Sequence, residues 1–130
     1  MSYLFILGRI LYGGYFVLSG WNHFSKTEML TSYAGSKGVP IPNTAVLFSG
    51  LLIFLGGLSV LTGIMAPLGL WLIIVFLIPV SFKMHDFWKD TDPMQKMSNQ
   101  VNFMKNMALL GGALLLLSLP VEMWGWVNLF

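Results

Sequence analysis

The chain has no cysteine and very little charge. Of its 130 residues, 9% are charged, whereas about a quarter are charged in soluble domains. The lack of cysteine excludes disulfides, thiolate nucleophiles, iron–sulfur clusters and Cys-type zinc sites within the chain. Seven basic and five acidic residues are too few to cover the surface of a soluble domain of this size. The composition therefore excludes a disordered chain, a nucleic-acid binder and an ordinary soluble enzyme.

Apolar residues take the place of the missing charge. Hydrophobic residues make up 56% of the chain, and the mean hydropathy is +0.76. They form four segments, at about 3–22, 44–62, 67–84 and 101–119, and the last helix is expected to begin as early as residue 93. Each is close to the 20 or so residues that a helix needs to cross a bilayer. The sequence predicts an all-α transmembrane four-helix bundle of two antiparallel hairpins, forming a single domain over residues 1–130.

Two long connections, residues 23–43 and 85–100, join these segments. The stretch Ser25-Lys26-Thr27-Glu28 has the pattern of a capping box. It predicts a short amphipathic helix with Met29, Leu30 and Tyr33 on its apolar side. A second capping pattern, Asp92-Pro93-Met94-Gln95, predicts the start of the fourth helix.

Lysine distribution predicts the orientation of the bundle. With four spans, both termini lie on one side of the membrane and both long connections on the other. The connection side holds all six lysines: Lys26, Lys37, Lys83, Lys89, Lys96 and Lys105. Because lysine and arginine accumulate on the cytoplasmic side, we expect both long connections in the cytoplasm and both termini outside. Trp124, Trp126 and Phe130 suit an aromatic belt at the outer interface.

Arg9 is a charge inside the first span. It lies about 9 Å down the helix at 1.5 Å per residue, where an ionisable group is costly and usually faces the bundle interior. One interpretation is that its long side chain reaches the interface. The other requires a partner, and Glu122 is the acidic residue at the same end of the bundle. We predict an Arg9–Glu122 contact or, failing that, contacts to carbonyls and hydroxyls near Ser59 and Thr62.

A second group of polar residues is predicted to meet at the opposite end of the bundle. They come from the ends of the first and third helices and from the start of the fourth: His23, Lys83, His85, Asp86, Trp88, Gln100, Asn102, Lys105 and Asn106. An interfacial hydrogen-bond network that ties the helices together is one interpretation. A ligand pocket is the other.

Several chemistries suit such a pocket. A histidine beside a carboxylate can relay protons to a bound quinone. Two histidines are ligands for a metal or haem, but the donor set is poor for either, and we predict no metal site. Asparagine, glutamine and lysine suit a polar headgroup or an anion. No motif for hydrolysis, phosphate binding or dinucleotide binding is present.

Several motifs occur in a recognisable order. They are Gly20-x-x-His23-Phe24, Tyr33-Ala34-x-x-Lys37-Gly38-Val39-Pro40-x-Pro42, Leu55-Gly56-Gly57 with Gly63, His85-Asp86-Phe87-Trp88, Asn102-Phe103-Met104-Lys105-Asn106 and Ala108-Leu109-Leu110-Gly111-Gly112. In these motifs the chain resembles the DoxX family of small four-helix membrane proteins.

The resemblance implies a multi-pass protein of the prokaryotic plasma membrane. Members of the family act as the membrane subunit of a thiosulfate:quinone oxidoreductase or in a membrane oxidoreductase complex of redox defence. Relatives in the wider group serve as cargo receptors or receptor-assembly chaperones. Many members have an acidic residue in the second helix shortly before the Gly-Gly pair, whereas this chain has Leu51-Leu52-Ile53-Phe54 there. A buried acid from that helix is therefore not available to Arg9.

Two functional hypotheses follow. In the first, the chain is the membrane subunit of a quinone-linked oxidoreductase or redox-defence complex, with no cofactor of its own, a quinone in the polar pocket and a partner subunit that carries the redox centre. In the second, it is a non-enzymatic membrane protein that binds a client, a lipid or a partner. A transporter is a third hypothesis, and it requires a homo-oligomer because four helices leave little room for alternating access.

Overall fold

Five α-helices and two short 3-10 turns make up the computed structural model, which describes residues 3–125. The helices are α1 (Tyr3–Ser25), α2 (Thr27–Ser36), α3 (Pro42–Thr62), α4 (Ala66–Met84) and α5 (Pro93–Leu117). The 3-10 turns are Phe87–Lys89 and Val121–Trp124. Four of the helices, α1, α3, α4 and α5, are long and apolar enough to cross a membrane. The predicted all-α fold with four spans is confirmed, while Trp126 and Phe130 of the predicted belt lie outside the described residues.

Local sequence signals account for most of the helix ends. Gly63 has φ +81° and donates its backbone N–H to the Ser59 carbonyl, a left-handed cap that favours glycine. Asp92 caps α5, because its Oδ2 accepts from the Gln95 N–H at 3.1 Å. The capping box predicted at residues 25–28 is wrong: no side chain caps α2, and the Thr27 hydroxyl donates to the His23 carbonyl at 2.7 Å.

Helix α2 runs across the connection end of the bundle. As predicted, it carries Leu30 and Tyr33 toward the interior. Met29 is 62% exposed, which corrects its predicted place on the apolar side. Helix α2 packs against α3 and so covers the space between α3 and α4.

Glycines bring α1 and α3 into backbone contact. A Cβ added at Gly13 would lie 2.8 Å from the Gly57 carbonyl oxygen, and one added at Gly57 would lie 2.7 Å from the Gly13 oxygen. Gly20 and Gly50 are similarly close, since a Cβ added at Gly20 would lie 2.8 Å from the Gly50 carbonyl oxygen. Because the residue number falls on α3 as it rises on α1, the two helices are antiparallel. Small residues of this kind allow close helix packing in membranes, where the hydrophobic effect does not drive helices together.

The other helices are added in sequence. Helix α4 packs on α3 through Gly56 and Gly69, where a Cβ on Gly56 would lie 2.8 Å from the Gly69 oxygen. Helix α5 packs on α4 and reaches α1 through Tyr12, whose hydroxyl donates to the Leu109 carbonyl at 2.5 Å. The fully buried core lies between these helices, and its largest apolar side chains are Phe16, Ile53, Val60, Leu70, Ile73 and Leu77.

We predict opposite effects for alanine at two neighbouring glycines of α1. Gly13→Ala should lower the thermal stability of the purified protein, by roughly 1–3 kcal/mol, because the new methyl group meets the α3 backbone. Gly14→Ala is the matched control, since a Cβ there meets nothing within 4 Å, and it should be neutral or stabilising because alanine favours the helix. Thermal unfolding in detergent measures both, and equal effects would contradict the close crossing.

Candidate functional site

At the terminus end of the bundle, Arg9 is buried and bound to backbone carbonyls. It is 6% exposed. Its Nε donates to the Val60 oxygen at 3.1 Å, and its terminal nitrogens donate to the Leu61 oxygen at 3.2 Å and the Trp124 oxygen at 3.3 Å. The guanidinium also lies 5.7 Å from the ring centroids of both Phe5 and Trp124. The side chain therefore points into the bundle, toward the end of α3.

These contacts correct the predicted partner of Arg9. Glu122 is exposed and takes part in neither of the two ion pairs formed among residues 3–125. Val60 and Leu61 instead belong to the last turn of α3, whose carbonyls have no partner within the helix. A cation at a helix C-terminus also interacts favourably with the helix dipole. Arg9 thus caps α3 from a neighbouring helix, which is the carbonyl alternative that the sequence left open.

At the connection end lies a cavity of about 820 Å³ between α2, α3 and α4. Its walls are mostly apolar, and its polar side chains are His23, Tyr33, Ser49, Lys83 and His85. The cavity lies beyond the Gly56–Gly69 contact, on the part of α3 before Ile53 and the part of α4 after Ile74. Helices α3 and α4 therefore touch at Gly56 and Gly69 and border the cavity nearer the connection end of the bundle.

The mouth of the cavity is on the outer face of the bundle. Phe48 of α3 is 61% exposed, and Val75 and Phe82 of α4 are 57% and 55% exposed, yet all three line the cavity. The mouth therefore lies on the outer surface of α3 and α4, two helices that are long and apolar enough to cross a membrane.

A hydrogen-bond network lies behind the two cavity residues Tyr33 and His85. Asn99 of α5 is 4% exposed, and its Oδ1 lies 3.4 Å from both the Tyr33 hydroxyl and the His85 Nδ1. Its Nδ2 donates to Asp90 Oδ2 at 2.7 Å. Tyr33 also donates to the Met84 carbonyl at 3.0 Å. Asn99 thus joins α2, the end of α4 and the connection to α5.

An ion pair holds the other end of α2. Lys37 Nζ lies 2.6 Å from Asp86 Oδ1, and both side chains are largely buried, with 15% and 11% of their surface exposed. Lys89 adds a weaker contact to the same carboxylate at 3.9 Å. The hydrogen bond to Asp86 raises the pKa of Lys37 above the ordinary lysine value. The two long connections, predicted on one side of the membrane, therefore meet at one end of the bundle.

The structure separates the predicted pocket residues into groups. His23, Lys83 and His85 line the cavity, and Asp86 binds Lys37 beside it. The others, Trp88, Gln100, Asn102, Lys105 and Asn106, are not among the lining residues. Trp88 packs in an aromatic cluster with Phe82, Phe87 and Phe103.

The four α5 residues that the sequence predicts in the pocket, Gln100, Asn102, Lys105 and Asn106, differ in their surroundings. Gln100 is exposed and Asn106 is buried. Lys105 donates to Asn102 at 3.4 Å and lies 5.7 Å from the Tyr15 ring centroid, so Lys105 contacts α1. Among residues 3–125, the side-chain hydrogen bonds of the two cavity histidines go to Ser19 and Asn99 and not to these four residues. No group of three or more histidine or acidic side chains within residues 3–125 is placed to hold a metal ion.

Sequence reasoning missed Tyr33, Lys37, Asp90 and Asn99 as parts of this site. The sequence indicates Lys37 as one of the six lysines that predict the orientation, and no motif marks Asp90. Asn99 shares its helix spacing with Asn102 and Asn106, and this was the available signal. The spacing places the three asparagines on one face of the helix, but it does not show which neighbouring residues this face contacts.

A comparison with family models decides the family. The model described as DoxX matches residues 4–86, which contain α1, α2, α3 and α4. The chain belongs to the DoxX family. Comparisons with curated proteins and with solved structures found no match. The match includes every cavity-lining residue of this DoxX protein, while Asp90, Asn99 and the rest of α5 lie beyond it.

We predict that the Arg9 contacts stabilise the bundle without help from Glu122. Arg9→Met should lower the melting temperature markedly, because two carbonyls in the last turn of α3 lose their donor. Each lost hydrogen bond to a charged group is worth about 1.5–3 kcal/mol. Arg9→Lys should recover only part of this, since an ammonium lacks the planar fork of donors. Glu122→Gln is the control and should melt like the wild type. A melting temperature lowered as far by Glu122→Gln as by Arg9→Met would restore the ion-pair interpretation.

We predict a pH-dependent contribution from the Lys37–Asp86 pair. Lys37→Met should lower the stability at pH 7, while Lys37→Arg should retain most of it. A raised lysine pKa means that the stabilisation is complete below the ordinary value of about 10.5 and is lost as the pH rises through the raised value. The melting-temperature gap between the wild type and Lys37→Met should therefore be constant from pH 7 to about 9.5 and close above the ordinary lysine pKa. A gap that persists beyond full lysine deprotonation would show that the ion pair is not its cause.

Proposed function

We propose that this DoxX protein is the membrane subunit of a quinone-linked oxidoreductase, with the quinone bound in the cavity between α2, α3 and α4. The observation that carries the proposal is the lateral mouth. A cavity that opens to lipid and contains histidine and tyrosine side chains suits a ligand that is dissolved in the bilayer and has a polar head.

Size and surface chemistry support this choice. Pockets for small molecules usually measure about 300–1,000 Å³, and the cavity holds about 820 Å³, enough for a quinone ring and part of its tail. Phe48, Val75 and Phe82 at the rim offer apolar contacts to the tail. His23 and His85 belong to the walls of the same cavity.

The proposal divides the chemistry between two subunits. Reduction of a quinone to a quinol takes two electrons and two protons. We assign the electrons to a partner subunit with a redox centre, because this chain has no cysteine for a cluster or a redox-active thiol. The cavity side chains would bind the head of the ligand and exchange protons with its oxygens, as histidine does near neutral pH.

The charge distribution supports an orientation in a prokaryotic plasma membrane. The connection end carries the six lysines, whereas Arg9, the basic residue nearest the termini, is buried. No exposed lysine or arginine thus remains at the terminus end of the described chain. By the positive-inside rule, the proposal places α2 and the connection to α5 in the cytoplasm, where a soluble redox partner would have access to them.

A second candidate is a non-enzymatic lipid-binding or scaffold protein. The largely apolar lining of the cavity favours it, since an acyl chain would fit the same walls. The two candidates differ in what the purified protein retains from the membrane.

We predict that the protein purified in mild detergent retains quinone and that filling the cavity removes it. Ala45 lines the cavity, and Ala45→Phe should reduce the quinone extracted per mole of protein at least about fivefold, by occupying the volume that the head needs. Leu115→Phe is the matched control, because Leu115 is 72% exposed on α5 and does not line the cavity. Solvent extraction followed by chromatography with redox detection measures the quinone. Retention of phospholipid but no quinone would favour the second candidate, and equal quinone in both variants would contradict the assigned cavity.

A further inference from the structure

The hydrogen-bond donors inside the cavity are already used by the protein, and this restricts the ligand. The inference rests on the proposed function, since it concerns which form of the ligand the same cavity prefers. It follows from the partners of the four polar side chains other than Lys83 in the lining, which are His23, Tyr33, Ser49 and His85.

His23 is fixed in one tautomer by its own helix. Its Nδ1 lies 2.8 Å from the Ser19 carbonyl oxygen. A carbonyl oxygen only accepts, so the neutral ring must carry its hydrogen on Nδ1. The other ring nitrogen, Nε2, then has a lone pair and no hydrogen.

His85 is fixed in the same tautomer through Asn99. The Asp90 carboxylate accepts from one end of the Asn99 amide at 2.7 Å, so that end must be the NH₂ group. The oxygen end therefore faces His85, at 3.4 Å from Nδ1. Because this oxygen is an acceptor, the hydrogen of the neutral His85 ring is on Nδ1, and Nε2 is again an acceptor.

The two hydroxyl groups also donate their hydrogens to backbone carbonyl oxygens. Tyr33 donates to the Met84 carbonyl at 3.0 Å, and Ser49 donates to the Val46 carbonyl at 3.1 Å. Each oxygen keeps a lone pair for a ligand. Pro79, which also lines the cavity, has no N–H and leaves the Val75 carbonyl without its usual helical donor.

Lys83 is the one charged side chain in the lining, and it lies at the rim. The residue is exposed, and its Nζ is 3.7 Å from the place that a Cβ on Gly38 would take, beside the turn that follows α2. The interior thus offers acceptors, while the charged donor is at the edge.

We propose that the cavity selects an apolar aromatic molecule that donates hydrogen bonds, and therefore binds the hydroxyl-bearing quinol in preference to the quinone. The quinol has two O–H donors for the histidine Nε2 atoms and the hydroxyl oxygens. The quinone has only carbonyl acceptors, which would leave these groups without partners in an apolar space. By linkage, tighter binding of the reduced form raises the potential of the bound couple, by about 30 mV for each tenfold preference, and this favours reduction at the site.

Two probes that differ by one hydrogen-bond donor test the selection. The 4-nonylphenol molecule carries an O–H, and its methyl ether, 4-nonylanisole, replaces this donor with a methyl group. Binding of each to the full chain in nanodiscs, measured by competition with a fluorescent alkylphenol, should favour the phenol by about threefold to tenfold, the value of one neutral hydrogen bond. Equal affinities, or a preference for the ether, would overturn the proposal.

Variants assign the preference to the histidine acceptors. His85→Phe keeps an aromatic ring but removes Nε2, and it should bring the phenol-to-ether ratio closer to one. Gln100→Leu is the control, because Gln100 is exposed and lies outside the lining, and it should leave the ratio unchanged. Nitrogen-15 NMR of the wild type gives a readout that does not depend on folded variants: both histidines should show the Nδ1–H tautomer, and an Nε2–H tautomer at both would overturn the assignment.

Different results separate this inference from the proposed function. Tight binding of a short-chain quinone and its quinol with equal affinity would retain the quinone-linked role and reject the donor selection. Preference for the phenol without binding of either quinone form would confirm the donor selection and reject the quinone-linked role.

Discussion

The backbone contact between α1 and α3 is the constraint on which the rest of the structure depends. Gly13 meets Gly57, and Gly20 meets Gly50, so the register of the two helices is fixed at two levels. This register positions one functional side chain at each end of the bundle. Arg9, four residues before Gly13, reaches the last turn of α3, and His23, three residues after Gly20, is placed beside Gly50 and the cavity. A shift of one turn along α3 would remove Arg9 from its carbonyls and His23 from the lining.

The low charge made the fold predictable but not the partner of its buried cation. Apolar length was sufficient for the four spans, and glycine, proline and aspartate marked several of their ends. For Arg9, the expectation of an acidic partner came from counting charges, of which Glu122 was the nearest by position. The structure uses Val60 and Leu61, whose carbonyls are available because α3 ends there. Helix-end carbonyls occur in every span and leave no mark in composition, so only the packing of α1 on α3 shows which of them Arg9 meets.

The candidate site was predictable only in part, because helix packing also decides which of its polar residues meet. His23, Lys83 and His85 stand at helix ends of one side, and that was enough to bring them to one cavity. The polar residues of α5 were assigned by their proximity to the same membrane side, but the rotation of α5 decides between them. Asn99 faces Tyr33 and His85, while Lys105 faces Tyr15 of α1. Sequence spacing shows which residues share a face of α5, but not the direction in which this face points. Packing against the neighbouring helices determines that direction.

The residues outside the cavity then decide what the cavity recognises. Asp90 is not one of the lining residues, yet it orients the Asn99 amide, and that amide fixes the hydrogen of His85 on Nδ1. The Ser19 carbonyl does the same for His23 within α1. Residue types alone suggest a mixed lining of donors and acceptors, because histidine, tyrosine and serine can each act as either. Once the partners are counted, the neutral side chains present acceptors, and the exposed Lys83 keeps its charge at the rim. The donor selection that we propose therefore depends on hydrogen bonds within the protein that involve no ligand atom. For the same reason, Asn99 belongs to the site as fully as the histidines that it orients.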